Sequence, residues 1–312
     1  MNGLEMAKTY FEAYGLPMLE EQFPHLLPSL AAGLTGSGSE CYGYDDALSR
    51  DHDYEPGFCL FLPDEAVISR KEAFALERAY AALPKSFMGI ERTPVRPVGQ
   101  RRGVFRISEF FMEKAGTPDG VLSADQWLSI PDAALAEATN GAVFYDGPGQ
   151  LTGIRERLRN RPEDIRRKKL CANLLLMNQS GQYNYSRCLG HGENAAAQMA
   201  LAEYVRHCIQ VVFLLNHAYM PFYKWMFRAM RGLPKLSLLA EVLEYLITTD
   251  NEPDISREKM DVIQGISADI SHELIAQGLT RESGEDLQRH ALSVNDGIMD
   301  AGIRNMHVLS GE

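Results

Sequence analysis

The sequence has no Cys-x-x-Cys pair, and its five cysteines, Cys41, Cys59, Cys171, Cys188 and Cys208, form an odd and scattered set. Neither a disulfide framework nor a zinc site is indicated, and a reducing cytoplasm is the expected setting. Long apolar runs are also missing. The longest, Val211 to Leu215, sits in a helical pattern interrupted upstream by Glu203, Arg206 and His207, far short of the ~20 apolar residues of a membrane span. The opening Met-Asn-Gly-Leu-Glu-Met-Ala-Lys has no basic region followed by an apolar stretch, which argues against a signal peptide. Positive charge is in deficit. A formal net charge of -11 argues against the broad basic surface with which sequence-independent nucleic-acid binders displace counterions, and it is compatible with a cationic substrate or a magnesium-bound nucleotide. No internal repeat or low-complexity segment interrupts the 312 residues, whose 45% hydrophobic content can fill one large core or two. A soluble protein with no membrane partner is expected.

The densest chemistry lies between residues 33 and 62. Gly36, Gly38 and Gly43 let the backbone turn tightly and approach a ligand, while Ser37 and Ser39 add hydroxyls beside amides that suit phosphate oxygens. Further on, Ser49 precedes Asp51 and Asp53, and the apolar strand Phe58 to Leu62 follows. Alternate side chains of a strand share a face, so Asp51 and Asp53 would point the same way. Paired carboxylates repel unless one is protonated or a cation sits between them, and an all-oxygen site suits magnesium or manganese. Either half alone is a common loop; the combination points to a metal-nucleotide site.

This stretch resembles the signature of the nucleotidyltransferase superfamily, the DNA-polymerase-beta-like fold, in which a Gly-Ser turn grips nucleotide phosphates and an Asp-x-Asp pair binds magnesium. Gly38-Ser39 through Asp51-His52-Asp53 is similar to a bacterial branch labelled a domain of unknown function and related to the aminoglycoside nucleotidyltransferases. The resemblance runs from the N-terminus to about residue 235. It implies that Asp51 and Asp53 are catalytic metal ligands, that Gly38 and Ser39 hold phosphates, and that a third carboxylate stands on a later strand, for which Glu109 and Asp146 are candidates. A helical-domain base is also implied, but Leu174 to Met177 stand before Gly181 where it would be sought, so either Glu193 or His191 substitutes, or the acceptor is activated by metal alone, or the substrate differs.

Elsewhere the pattern is mostly helical. Residues 3 to 32 read as short helices broken by Pro17, Pro24 and Pro28, and Ser69 caps a helix that ends before Pro84. Arg96, Arg101 and Arg102 fall in a proline-interrupted basic stretch, read as a solvated loop with triphosphate contact as the alternative. Val104 to Phe111 reads as a strand, 123 to 139 as a helix, and Ala142 to Tyr145 as a strand before a turn. Arg155 to Lys169 reads as a solvated basic helix face, with Arg166, Arg167 and Lys168 able to steer a nucleotide. Tyr183, Arg187, His191 and Glu193 could line an acceptor site. Lys224 and Arg228, amid Tyr223 and Trp225 on a helix starting near Pro221, are the candidate nucleotide-binding cations, with snorkelling core residues as the bland alternative. Ile263, Ile266, Ile270 and Leu274 form a helical stripe for a core or for an interface such as that of a homodimer. His272 and His290 are read as structural or exposed.

The expectation is therefore an α+β protein. A nucleotidyltransferase domain with a mixed sheet and flanking helices would span 1–152, an α-helical bundle 153–312, and the active site the cleft between them. It would move a nucleoside monophosphate, expected to be AMP, from a nucleoside triphosphate to an acceptor hydroxyl, with magnesium as cofactor. A small-molecule acceptor is favoured over an RNA end or a protein side chain.

Overall fold

The structure, a computed structural model, describes residues 1–46, 54–92 and 101–312. Its strands are β1 (Ala31–Leu34), β2 (Cys59–Leu62), β3 (Ser86–Phe87), β4 (Ile90–Glu91), β5 (Gly103–Arg106) and β6 (Ala142–Asp146). The helices of the first half are α1 (Gly3–Tyr10), α2 (Leu16–Gln22), α3 (Arg70–Ala82), α4 (Ile107–Ala115), α5 (Ala124–Ser129), α6 (Asp132–Thr139) and α7 (Gln150–Arg159). Those of the second half are α8 (Glu163–Met177), α9 (Ser186–Gly190), α10 (Asn194–Leu215), α11 (Tyr223–Met230), α12 (Leu239–Thr248), α13 (Pro253–Ala276), α14 (Leu287–Asp296) and α15 (Ala301–Asn305). The fold is mixed α+β with a C-terminal helical region. Two compact units divide it: Met1–Leu122 with Ala134–Asn160, and Ser123–Ala133 with Arg161–Glu312. The expected break after residue 152 falls within α7, whose helix carries the first unit on to Asn160.

In the first unit a four-stranded sheet has the order β5-β2-β1-β6. β1 runs antiparallel to both β2 and β6, and β2 pairs parallel with β5, so the sheet is mixed. Every residue of β1 and β2 is buried, which is why Ala-Ala-Gly-Leu and Cys-Leu-Phe-Leu read as unbroken apolar runs rather than alternations. Tyr10, Phe11, Leu19, Leu30, Phe58, Leu60, Leu76 and Tyr80 fill one core beside it, each worth about 1.5–3 kcal/mol on the transfer scale for large apolar side chains. The Ser69–Glu72 capping box starts α3 as the sequence indicates.

Two local readings change. Pro17 does not break the N-terminal helix, because Phe11–Gly15 widens into a π-turn that brings Pro17 into the first turn of α2, where its missing N–H costs little. Gly15 is needed there, since a Cβ would lie 2.4 Å from the Phe58 ring. The strand expected over Val104 to Phe111 ends at Arg106. Ile107, Phe111 and Ala115 are buried at a spacing of four, so the helical period wins over the aromatic content of the run.

The second unit packs α8, α10, α12, α13 and α14 around Leu170, Leu174, Val205, Ile209, Leu243 and Ile270. Ile263, Ile266, Ile270 and Leu274 are at most 2% exposed, so the tail stripe is spent inside this unit rather than on an interface. The helix expected over 123–139 is broken at Pro131 into α5 and α6. Asp132, buried at the start of α6, meets Arg161 at 2.7 Å and Lys169 at 3.6 Å and accepts from Gln210 Nε2 at 2.9 Å. These contacts join residues 123–133 to α8 and α10. Arg166, Lys168 and Lys169 are buried rather than solvated. Arg166 donates to Glu163 and to the Leu214 and Gln277 oxygens; Lys168 donates to Asn295 Oδ1 at 2.9 Å and Met306 O at 2.7 Å. Arg167 spends itself on Glu163 and Leu279 O. The role of these three is to tie helix ends together. His290 is buried between Thr280 Oγ1 and Gly284 O, and His272 is exposed.

His207 is 3% exposed, with Nδ1 2.8 Å from Asn173 Oδ1 and Nε2 3.4 Å from Glu203. Burial, reinforced by Arg206, pulls its pKa down to about 4. An unfolded chain takes up this proton near pH 6.5, whereas the folded protein refuses it until about pH 4, so stability is lost as pH falls through that window. Urea unfolding should therefore show the wild type losing about 2 kcal/mol more than His207→Gln between pH 7.5 and pH 5. Equal losses would mean that His207 carries none of the acid sensitivity.

Candidate functional site

β1 ends at Leu34 and the chain turns through residues 35–38 into a 3-10 turn, Ser39–Tyr42, which Gly43 closes at φ 69°. Gly36 takes φ 126°, a conformation that L side chains rarely adopt. Asn140 holds it at both ends. Its Oδ1 accepts from Gly36 N–H at 2.9 Å and its Nδ2 donates to Gly36 O at 2.7 Å. Thr35 Oγ1 reaches the same Oδ1 at 3.0 Å and Glu137 O at 2.8 Å, and Gly141 N–H donates to Cys41 O at 2.8 Å. Gly141 approaches so closely that a Cβ would lie 1.9 Å from Leu34 O. Behind this brace, the buried Arg155 donates to Thr139 O and Asn140 O, and Arg159 to Thr139 O at 2.6 Å, so two guanidiniums answer the carbonyls at the end of α6. The N–H groups of Ser37, Gly38 and Ser39 donate to no protein group among the described residues.

Beside the turn, Glu40 is buried and accepts from two arginines, Arg101 Nη2 at 2.5 Å and Arg102 Nη2 at 2.9 Å. Arg102 also stands 3.6 Å from Glu55. Sheet register explains the meeting. Gly33 near the end of β1 faces Cys59 at the start of β2, and Cys59 faces Gly103 at the start of β5. The exit to the Gly-Ser turn, the entry to β2 and the Arg101-Arg102 doublet therefore share one end of the sheet. Neither described arginine of the doublet is a solvated loop residue: the Arg101 side chain is 28% exposed and that of Arg102 6%. Both side-chain ends rest against Gly38, where a Cβ would lie 1.9 Å from Arg101 Nη2 and 2.3 Å from Glu40 Oε2 and would push them aside.

Ser49, Asp51, Asp53 and Arg96 lie outside the described residues. Asp51 and Asp53 precede Cys59, and β2 is entered from the turn end of the sheet. Both candidates for a third carboxylate are at the other end. Asp146 faces Ala31 at the start of β1 and accepts from Thr152 N–H at 2.8 Å in the first turn of α7, so it caps a helix. Glu109 follows the far end of β5 and is exposed. Among the described residues, no group of three or more His, Cys, Asp and Glu side chains is placed to hold a metal ion.

In the second unit, Lys224 and Arg228 lie four apart on α11, both exposed, and the Lys224 amine stands 5.0 Å from the Trp225 ring centre. The helix starts after Phe222 rather than at Pro221. Glu203 pairs with Arg206 and His207 instead of Lys224, and Glu241 makes no ion pair with it. Of the expected acceptor cluster, Arg187 covers the Tyr183 ring at 5.1 Å, while His191 and Glu193 are exposed. An open pocket of about 640 Å³ nearby is lined by Leu189, Asn194, Gln198, Asn251, Pro253 and Ser256 and not by those four residues.

A protein-family model described as "Domain of unknown function (DUF4037)" matches residues 127–226, less than half of the chain and wholly beyond the Gly-Ser turn. No curated protein matches. No helix is long and apolar enough to cross a membrane among the described residues.

Sequence reasoning missed Glu40 and Asn140. Glu40 stands inside the Gly-Ser segment and looks like a loop carboxylate; only its fixed place between Gly38 and the start of β5 gives it meaning. Asn140-Gly141 looked like the end of a helix. Asn140→Ala should cost roughly 2–4 kcal/mol, because it strands the buried N–H and C=O of Gly36 together. Urea unfolding measures this, and a loss under 1 kcal/mol would show that the turn holds its shape without the brace.

Proposed function

We propose that the protein is a magnesium-dependent nucleotidyltransferase that moves a nucleoside monophosphate, AMP being the first to test, from a nucleoside triphosphate to a hydroxyl-bearing acceptor. The observation that carries this reading is the braced Gly-Ser turn, with its unused Ser37, Gly38 and Ser39 N–H groups, at the sheet end from which β2 is entered. Such a turn offers backbone donors to phosphate oxygens at no reorganisation cost. Gly38 and Ser39 would cradle the β and γ phosphates. Asp51 and Asp53 would hold magnesium, which offsets the charge that gathers on the leaving pyrophosphate. The acceptor hydroxyl would give up its proton, to Glu193, His191 or water, as its oxygen bonds to the α phosphorus; the bond from that phosphorus to the α–β bridging oxygen would break, and pyrophosphate would depart in line. Lys224 and Arg228 would add cationic contacts to the nucleotide, and the cytoplasm is the proposed location.

A second reading is a nucleotide-binding or antitoxin-like module of the same fold with weakened turnover. It is favoured by the local roles of the two third-carboxylate candidates, since Asp146 accepts from Thr152 N–H in the first turn of α7 and Glu109 is exposed. Magnesium-dependent triphosphate binding by titration calorimetry should disappear in Asp51→Asn/Asp53→Asn; unchanged binding would remove the metal assignment. Pyrophosphate release with a mixed panel of acceptors then separates the readings, since binding with no turnover on the panel selects the module.

Lys224 tests the part played by the helical unit. Exposed and free of carboxylate partners among the described residues, it should be replaceable by methionine with melting shifted by no more than a few degrees. Nucleotide binding should weaken by roughly 1.5–3 kcal/mol, the range for a hydrogen bond to a charged group. A Lys224→Met protein that melts early yet binds normally would make this lysine structural.

A further inference from the structure

We infer that Arg101 is the cation through which the Gly-Ser turn engages a polyphosphate, and that Glu40 is an internal anion which the incoming phosphate displaces from it. The inference rests on the reading of the turn as a phosphate cradle. The Arg101 guanidinium lies on the turn itself, because a Cβ on Gly38 would come within 1.9 Å of Nη2. The backbone donors of Ser37, Gly38 and Ser39, which no described protein group uses, belong to the same few residues. Unused backbone amides and a guanidinium within the same few residues offer donors to an anion, and a carboxylate already holds that guanidinium: Glu40 Oε2 would lie 2.3 Å from that same Cβ, and Oε1 accepts from Arg101 at 2.5 Å. Carboxylate and phosphate present similar pairs of oxygens to the planar fork of arginine, so one can replace the other.

The two arginines of the doublet are not equivalent in this exchange. Arg102, with 6% of its side chain exposed, is clamped between Glu40 and Glu55 and can meet no solute without unpacking. Arg101, 28% exposed, can turn toward a ligand while Glu40 keeps Arg102 as its partner. The carboxylate is therefore never left buried without a counter-charge, which is the condition that makes breaking a buried pair expensive. Glu40 holds Arg101 over the turn in the free protein and competes with the phosphate for it. That competition lowers the affinity of the turn, so removing the Glu40 charge should tighten binding and removing the Arg101 charge should loosen it.

The test uses the full chain with two probes, inorganic tripolyphosphate and magnesium ATP, titrated after thermal melting of each variant. Arg101→Met is expected to melt near the wild type, bind either probe roughly 10- to 100-fold more weakly, and show a shallower dependence of binding on salt. Arg101→Lys should recover part of the affinity. Glu40→Gln should bind tripolyphosphate several-fold more tightly. Arg102→Met should melt earlier and, where folded, bind as the wild type does. An Arg101→Met protein that binds as tightly as the wild type, or that does not fold, overturns the inference, as does a folded Glu40→Gln protein that binds more weakly. If Glu40→Gln does not fold, the Arg101 variants decide. A wild type that binds neither probe refutes the nucleotide reading itself, which is distinguishable from a wild type that binds both with Arg101 uninvolved.

Discussion

At the end of the sheet where β1 leaves and β2 enters, two side chains add to what the strand ladder supplies, which at Phe58 O is one bond from Gly103 N–H at 3.0 Å. Asn140 bonds both the N–H and the C=O of Gly36, and the Tyr80 hydroxyl does the same for Phe58, at 3.2 and 2.7 Å. Each buried peptide group left unpaired there would cost about 1–3 kcal/mol. Because these residues come from α3 and from the segment before β6, the shape of the turn depends on helices and strands remote in sequence. The Gly-Ser turn is thus tied into the core through Asn140 rather than laid over it as a loop, and the N–H groups of Ser37, Gly38 and Ser39 donate to no protein group among the described residues.

The same economy governs the basic residues. The acidic balance of the chain suggests scattered cations on a wet surface, yet Arg102, Arg155, Arg166, Lys168, Lys169 and Lys259 are all buried. Several answer carbonyls at helix ends, as Arg155 does at Thr139 and Asn140 and Lys168 at Met306. Long flexible cations can reach such carbonyls from a neighbouring helix while their stems pack against apolar neighbours. The deficit of free positive charge is therefore larger than the composition alone suggests.

What could be read from the sequence follows from which forces are local. Capping at Ser69, the apolar strand at 59–62, the long helix from Asn194 and the tail stripe are fixed by spacing and by immediate neighbours, and all are present, whereas β1 begins at Ala31, inside the stretch expected to form short helices as far as residue 32. The π-turn that absorbs Pro17 is set by Gly15 packing on Phe58, a partner more than forty positions away. The Glu40 cluster needs the register of three strands, and the placement of Asp146 and Glu109 needs their direction. No pattern of single residues encodes strand direction. The glycines and serines of the turn could thus be singled out, while the residues that brace and oppose them could not.

The chain passes between its two compact units three times, after Leu122, after Ala133 and after Asn160, with the second passage inside α6. Asp132 at one end of that helix belongs to the helical unit, and the carbonyls at its other end, which Arg155 caps, belong to the sheet unit. No single cut yields two complete folding units, and a gene fragment ending near residue 152 would lack the last turns of α7 and still carry a strip of the other unit. Each unit is thus assembled from two separated stretches of chain, and a protein cut at any one point would leave at least one of them without part of its residues.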